Sequence, residues 1–252
     1  MSTTTSPWKK KVYEYGILSS KCPKEVAEDP LLSKLCMSCC AAFAQRNHRQ
    51  SPIDIVEKNS KYQEFRPFTF TGFENISLKN GTLKAWNTGG TLKLLAEPGV
   101  AMLGGGPLNV PYEFVEMHFH WGDASNPESN EGSEHKINGK SYPLELHMVH
   151  KNLHDETIDD ALSHENGLCV LAFVFDIVDY DVAIPGLDNL AEIVQKHLIK
   201  SGSIFDQKAE KEDVCGSAHP DVVLANFIPF LVDEYFTYRG SLTTGGSEEA
   251  VN

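Results

Sequence analysis

Glu116-Met117-His118-Phe119-His120-Trp121 has the two-residue alternation of a β-strand. Successive side chains of a strand alternate between faces. Glu116, His118 and His120 therefore share one face, and Met117, Phe119 and Trp121 the other. Two imidazoles two residues apart on one face can share a metal. A second stretch, Glu145-Leu146-His147-Met148-Val149-His150, alternates in the same way and presents Glu145, His147 and Val149 together. If the two strands are neighbours, His147 completes a three-histidine site.

Three neutral imidazoles suit a catalytic zinc with water in an open fourth position. They leave the metal its full positive charge, which lowers the bound water's pKa to about 7 and yields hydroxide at neutral pH. A His-x-His pair also occurs as an ordinary polar face. Glu145 beside His147 strengthens the metal reading, because metal-bound histidines need an acceptor for the second ring N–H.

Outward from these strands the texture stays strand and turn. Phe68–Phe73, Ile76–Leu78, Thr82–Trp86, Thr91–Leu95, Tyr112–Trp121, Leu144–His150, Leu168–Val178 and Tyr235–Tyr238 are expected strands. Gly104-Gly105-Gly106-Pro107 and Asn138-Gly139 are expected turns. Ile184–Ser201 is the clearest helix, with Leu187, Leu190, Ile193, Val194 and Leu198 on one face and Gly202 placed to cap it. There is no internal repeat and no low-complexity tract.

Residues 1–45 differ from the rest and form a cysteine-bearing N-terminal region, with helix expected in Val26–Phe43. Of the six cysteines, Cys22, Cys36, Cys39 and Cys40 lie here, while Cys169 and Cys215 lie far along the chain. The Cys36–Cys39 spacing suits a zinc knuckle or a redox pair, but no second pair with that gap exists. Disulfides or free thiols are the plainer reading.

The 252 residues carry a net charge of −13. Such a surface repels phosphate backbones and anionic lipid heads, so neither nucleic acid nor a charged membrane surface is an expected partner. No run approaches the roughly 18 apolar residues of a membrane span. Met1-Ser2-Thr3-Thr4-Thr5 lacks a basic head followed by an apolar stretch. The expectation is a cytoplasmic chain, or a secreted one whose start lies upstream.

Taken together, these segments resemble the α-class carbonic anhydrases. The resemblance is carried by Gln50-Ser51-Pro52-Ile53-Asp54-Ile55, Gly105-Gly106-Pro107-Leu108, Phe119-His120-Trp121-Gly122 and Gly132-Ser133-Glu134-His135. Glu145–His150 and Tyr238-Arg239-Gly240-Ser241-Leu242-Thr243-Thr244 complete it. It spans residues 46–252 in family order. It implies a mainly β fold: a large twisted, mostly antiparallel central sheet, a few short peripheral helices, and zinc at the base of a conical cavity. It implies reversible hydration of CO2 to bicarbonate and a proton by zinc-bound hydroxide, with sulfonamides and anions as inhibitors.

By matching positions, His118, His120 and His147 are the implied zinc ligands. Glu145 and Glu116 back the ligand rings. Thr243 is implied to accept the hydroxide's proton in a hydrogen bond and pass its own to Glu134, which aims the nucleophile at CO2. Val149, Val170, Leu242 and Thr244 form the implied substrate pocket. Read without the resemblance, Val149, Val170 and Leu242 are core residues, Glu134 a solvated loop acid and Thr243 a turn hydroxyl. The cysteine-bearing N-terminal region resembles that of secreted shell-matrix carbonic anhydrases of molluscs.

The chain also departs from the family. Gly90 stands where fast members carry a proton-shuttling histidine, which implies a slower, buffer-dependent enzyme. Glu116 replaces the usual glutamine, and Lys93 stands where a small amide is common. An ion pair between Lys93 and Glu116 is expected on the cavity wall. Gly245-Gly246 replaces a Pro-Pro pair and loosens the loop behind Thr243. A family disulfide would join Cys39 or Cys40 to position 247, which is serine here. The resemblance further implies that a C-terminal part of the domain lies beyond Asn252. A related binding protein without catalysis is the alternative, although such proteins typically lose a zinc histidine. An acidic matrix component would need repeats or acidic tracts, which are absent.

Overall fold

The computed structural model describes residues 49–122, 131–180, 182–206, 220–229, 232, 234–243 and 250–251, together with the backbone of 13–15. Val26–Phe43, Cys22, Cys36, Cys39, Cys40, Cys215, Thr244, the 245–246 glycine pair and position 247 lie outside these residues.

In chain order the strands are β1 (Tyr13–Tyr15), β2 (Asp54–Ile55), β3 (Ser60–Lys61), β4 (Arg66–Thr71), β5 (Leu83–Asn87), β6 (Leu92–Ala96) and β7 (Met102–Gly106). There follow β8 (Tyr112–Trp121), β9 (Lys136–Ile137), β10 (Leu144–Asn152), β11 (Leu168–Phe175), β12 (Ile204–Phe205) and β13 (Phe236–Thr237). Among the described residues two α-helices join them, α1 (Ile158–Leu162) and α2 (Pro185–His197). The fold is mainly β, as expected. No helix among the described residues is long and apolar enough to cross a membrane.

The central sheet has eight strands in the order β11-β10-β8-β6-β5-β12, with β7 on β8 and β4 on β7. Every pairing in it is antiparallel. One edge of β8 is shared: β7 takes Tyr112 and Glu113, and β6 takes Glu116 to His118. On its other edge β8 runs the length of β10, with one slip in register. Val149 lies opposite Glu116, but His150 lies opposite Phe114, so Val115 is an extra residue in β8.

The two faces of these strands differ as the alternation requires. Met117, Phe119, Leu146 and Met148 lie in the main core, where they join Phe73, Phe114, and Leu190 and Ile193 of α2. Burying each such side chain contributes roughly 1.5–3 kcal/mol. Trp121 shares their parity but ends β8 and stays about half exposed, at 53%.

Three expectations need correction. Gly104, Gly105 and Gly106 are not a turn but the end of strand β7, paired with β4. A side chain at Gly104 would come within 2.9 Å of Thr69 Oγ1, and one at Gly105 would strike the Pro67 carbonyl. The glycines are there so that two strands can approach closely. Ile76–Leu78 is not a ladder strand. It leaves a 3-10 turn at Phe73–Asn75, and Ser77 makes a single bridge to Val223 while Ile76 and Leu78 are buried. The helix expected over 184–201 ends at His197. The Asn87 side chain takes the Leu198 carbonyl at 2.7 Å, and the chain turns to deliver β12 to β5. Gly202, with φ +85°, serves that turn rather than the helix end. The Asn138-Gly139 turn is present, with φ of 52° and 78° and paired backbone hydrogen bonds between Ile137 and Lys140.

Candidate metal centre

His118 and His147 face each other in register across β8 and β10, and Lys93 of β6 lies beside His118 on the other edge. His120 follows on the same face of β8. The ring centroids are 5.0 Å apart for His118–His120, 5.2 Å for His118–His147 and 4.7 Å for His120–His147. One nitrogen from each ring lies within 4.8 Å of the others. The two strands are neighbours, the condition on which the three-histidine site rests, and they bring the three histidines together.

Hydrogen bonds select the nitrogens that face inward. His118 Nδ1 donates to Glu116 Oε1 at 2.8 Å, which leaves Nε2 with its lone pair. His147 Nε2 donates to Glu145 Oε1 at 2.6 Å, which leaves Nδ1. His120 Nε2 is buried without a hydrogen-bond partner among the described residues. Burial, then the neighbouring His147 ring, pushes the His120 pKa down to about 4, so the ring is neutral at physiological pH. Three ring nitrogens within 4.8 Å of one another, one of them an orphaned buried atom, fit a divalent metal held by imidazole.

Glu145 is fully buried and takes more than one ring. Its Oε1 also accepts from His135 Nδ1 at 2.6 Å, and its Oε2 from the His135 backbone N–H at 2.9 Å. Burial opposes its charge, but these bonds from His135 and His147 outweigh it and hold the carboxyl below the usual range. Because His135 Nδ1 donates, its Nε2 accepts from the Tyr238 hydroxyl at 2.6 Å, and that oxygen accepts from Ser51 Oγ at 2.7 Å. Ser51 exchanges backbone-to-hydroxyl bonds with Ser241, at 2.9 and 3.2 Å. A continuous chain therefore ties His147 to the loop that carries Leu242 and Thr243. The sequence reading gave no role to His135, Tyr238 or Ser51. Each lies inside a quoted motif, but only His135 adjoins a residue with an assigned role, Glu134.

Glu116 Oε2 lies 3.4 Å from Lys93 Nζ, so the expected pair is present. Burial again opposes the Glu116 charge. The His118 hydrogen bond and charge, followed by Lys93, lower its pKa nonetheless.

Val149, Val170, Leu242, Thr243 and Gly90 line one cavity of about 1000 Å³ with the triad. Val149 and Val170 are opposed in register, and Val170 and Leu242 both pack against the small cluster of Ala161, Leu168 and Val251. Thr243 and Gly90 reach the same cavity, and an added Cβ at Gly90 would meet nothing within 4 Å. Glu134 is not a solvated loop acid. Its Oε2 is buried and lies 3.4 Å from His120 Nε2 and 3.9 Å from His147 Nδ1. No hydrogen bond joins it to Thr243 among the described residues, in contrast to the expected relay. His150, on the opposite face, is fully buried with Nδ1 3.2 Å from the Cys169 carbonyl. His154 and His164 are exposed.

The sequence profile of the eukaryotic-type carbonic anhydrases matches residues 38–252. Carbonic anhydrase 5B, mitochondrial, of Rattus norvegicus is 35% identical over 212 residues, covering 81% of this chain and 57% of the relative. Carbonic anhydrase 6 of Canis lupus familiaris is 30% identical over 211 residues, covering 81% and 58%. Carbonic anhydrase 4 of Rattus norvegicus is 27% identical over 216 residues, covering 82% and 60%. An antiparallel sheet with a convergent histidine triad, matched by this profile over most of its length, defines the class: the chain belongs to the eukaryotic-type carbonic anhydrase family. It spans somewhat under two thirds of the length of these relatives.

Proposed function

We propose that this chain carries the zinc centre of a carbonic anhydrase and serves the reversible hydration of CO2 to bicarbonate and a proton. The convergence of His118 Nε2, His120 Nε2 and His147 Nδ1 carries this reading. Zinc, when bound, supplies a Lewis acid that makes a water molecule acidic near neutral pH.

The chain's own residues divide the remaining tasks. Glu116 and Glu145 hold two of the rings by their outer N–H groups and so fix which nitrogen faces the metal. Val149, Val170 and Leu242 offer an apolar wall, which suits a substrate with no hydrogen-bond donors. In this reading Thr243 orients the attacking oxygen by its hydroxyl, which requires Glu134 to turn from the histidines to accept from it. Thr244 belongs to the same pocket in this reading. Gly90 offers no group to carry the proton away, so release depends on buffer or water.

One observation favours a second reading, a catalytically weak relative. Glu134 faces His120 and His147 rather than Thr243. Stopped-flow CO2 hydration by the purified, zinc-loaded chain, with a sulfonamide control, separates the two. Sulfonamide-sensitive turnover supports the enzyme. One bound zinc without turnover supports the second reading, and failure to retain zinc overturns the zinc-centre reading.

A further inference from the structure

Two of the three triad rings are backed by carboxylates, but the two carboxylates are held differently. Glu145 is met only by hydrogen bonds, from His135, its backbone N–H and His147. Glu116 is met by a ring on one oxygen and an ammonium near the other, with His118 Nδ1 at 2.8 Å and Lys93 Nζ at 3.4 Å. The sheet dictates this arrangement. Lys93 is the register partner of His118 and Leu95 that of Glu116, so Lys93 and Glu116 are diagonal neighbours on one face, within reach of a long side chain. Both side chains are largely withdrawn from water, at 32% and 12% exposed.

Charge bookkeeping at the metal gives the pair a purpose. A carboxylate behind a ligand ring makes a better acceptor for its N–H than a neutral amide does. Alone at this depth it would also add a second poorly solvated negative charge beside Glu145, which is costly without a partner. An ammonium alone beside a dication would repel it. Together the two cancel. The acceptor is kept and the site's net charge is unchanged.

Resting on the zinc-centre reading above, we propose that Lys93 and Glu116 act as one neutral unit behind His118, in which Glu116 positions the ring for metal retention and Lys93 offsets the carboxylate's charge without itself holding the ring.

The test uses the full chain as wild type, Glu116→Gln, Lys93→Met and the double variant. Each is loaded with zinc, its stoichiometry measured, and zinc release to a chromophoric chelator timed. Melting of the metal-free forms is followed in parallel. Glu116→Gln weakens the acceptor and strands Lys93 beside the metal, two effects of the same sign. It should release zinc about 10–100-fold faster than wild type. Adding Lys93→Met removes the stranded cation and should recover much of that loss. Lys93→Met alone should release zinc no faster than wild type.

The proposal is overturned if Glu116→Gln releases zinc at the wild-type rate, or if the double variant is as fast as Glu116→Gln. It is also overturned if Lys93→Met alone accelerates release, an arm that stands even where Glu116→Gln does not fold. Changes confined to metal-free melting would make the pair a plain stabilising contact, and that too overturns it. A wild-type chain holding no zinc removes the zinc-centre reading and this unit with it. A wild-type chain holding one zinc that is indifferent to both substitutions removes the unit alone.

Discussion

A single oxygen of Glu145 lies 2.6 Å from a ring nitrogen of both His135 and His147. One buried acceptor thereby fixes the tautomers of a triad histidine and of the histidine that leads to Tyr238. An amide cannot replace it, because the second oxygen also accepts the His135 backbone N–H. Glu145→Gln turns one acceptor into a donor that faces another donor. We expect it to lose about 1–3 kcal/mol of stability in urea melts of the metal-free chain. We also expect it to release zinc about 10–100-fold faster to a chelator. Unchanged release would remove Glu145 from the metal's support.

Gly90 reaches the cavity and has open space where a Cβ would be. Gly90→His should therefore fit and supply a proton carrier. Turnover in dilute buffer is expected to rise, and the gain to vanish in concentrated buffer. The adjacent Gly89→His is the contrast. There φ is +92° and the new Cβ would strike Ser201 Oγ, so that variant should lose stability instead.

His150 gives the chain an acid limit. Burial lowers its pKa to about 4 from an ordinary 6.5. Protonation therefore favours the unfolded chain. The stability it protects is complete above pH 6.5 and is lost as pH falls from there toward 4, by roughly 3 kcal/mol in total. His120, lowered to about 4 in the metal-free chain, contributes with the same sign. Urea melts of metal-free wild type and His150→Gln across this range should show a shallower slope for the variant. Parallel slopes would acquit His150.

Cys169 is fully buried and free, and burial pushes its pKa up to about 12. At neutral pH almost no thiolate exists to react. The Cys169 peptide should therefore escape alkylation in the native chain and label fully in urea, as read by mass spectrometry. Rapid native labelling would mean that the β10–β11 region opens readily.

What the sequence revealed of this site came from alternation. Glu116, His118 and His120 on one strand, and Glu145 and His147 on another, needed only period two to be placed on a common face, whereas the Lys93–Glu116 pair was legible only through the family resemblance that sets both positions on the cavity wall. The Gly104–Gly106 run misled because the same residue serves a tight turn and a close approach of strands, and only the position of Thr69 and Pro67 separates them. The His135–Tyr238–Ser51 chain was illegible for a related reason. Its members are distant in sequence, up to 187 positions between Ser51 and Tyr238, and only the folded loop brings them together. The direction of Glu134 likewise depends on side-chain rotation that no pattern encodes.

The extra residue Val115 lies between two uses of one strand. Phe114 and Glu116 have the same parity, and an uninterrupted strand would send both to the same side. Instead Phe114 enters the core while Glu116 joins the histidines. The bulge acts as a phase shifter, resetting the alternation so that the apolar beginning of the strand and its polar end each obey their own rhythm. Drawing Val115 into the ladder as a regular residue would force the two halves back into step, and either the phenylalanine would be thrown out toward the cavity or the metal-facing row would be turned into the oil.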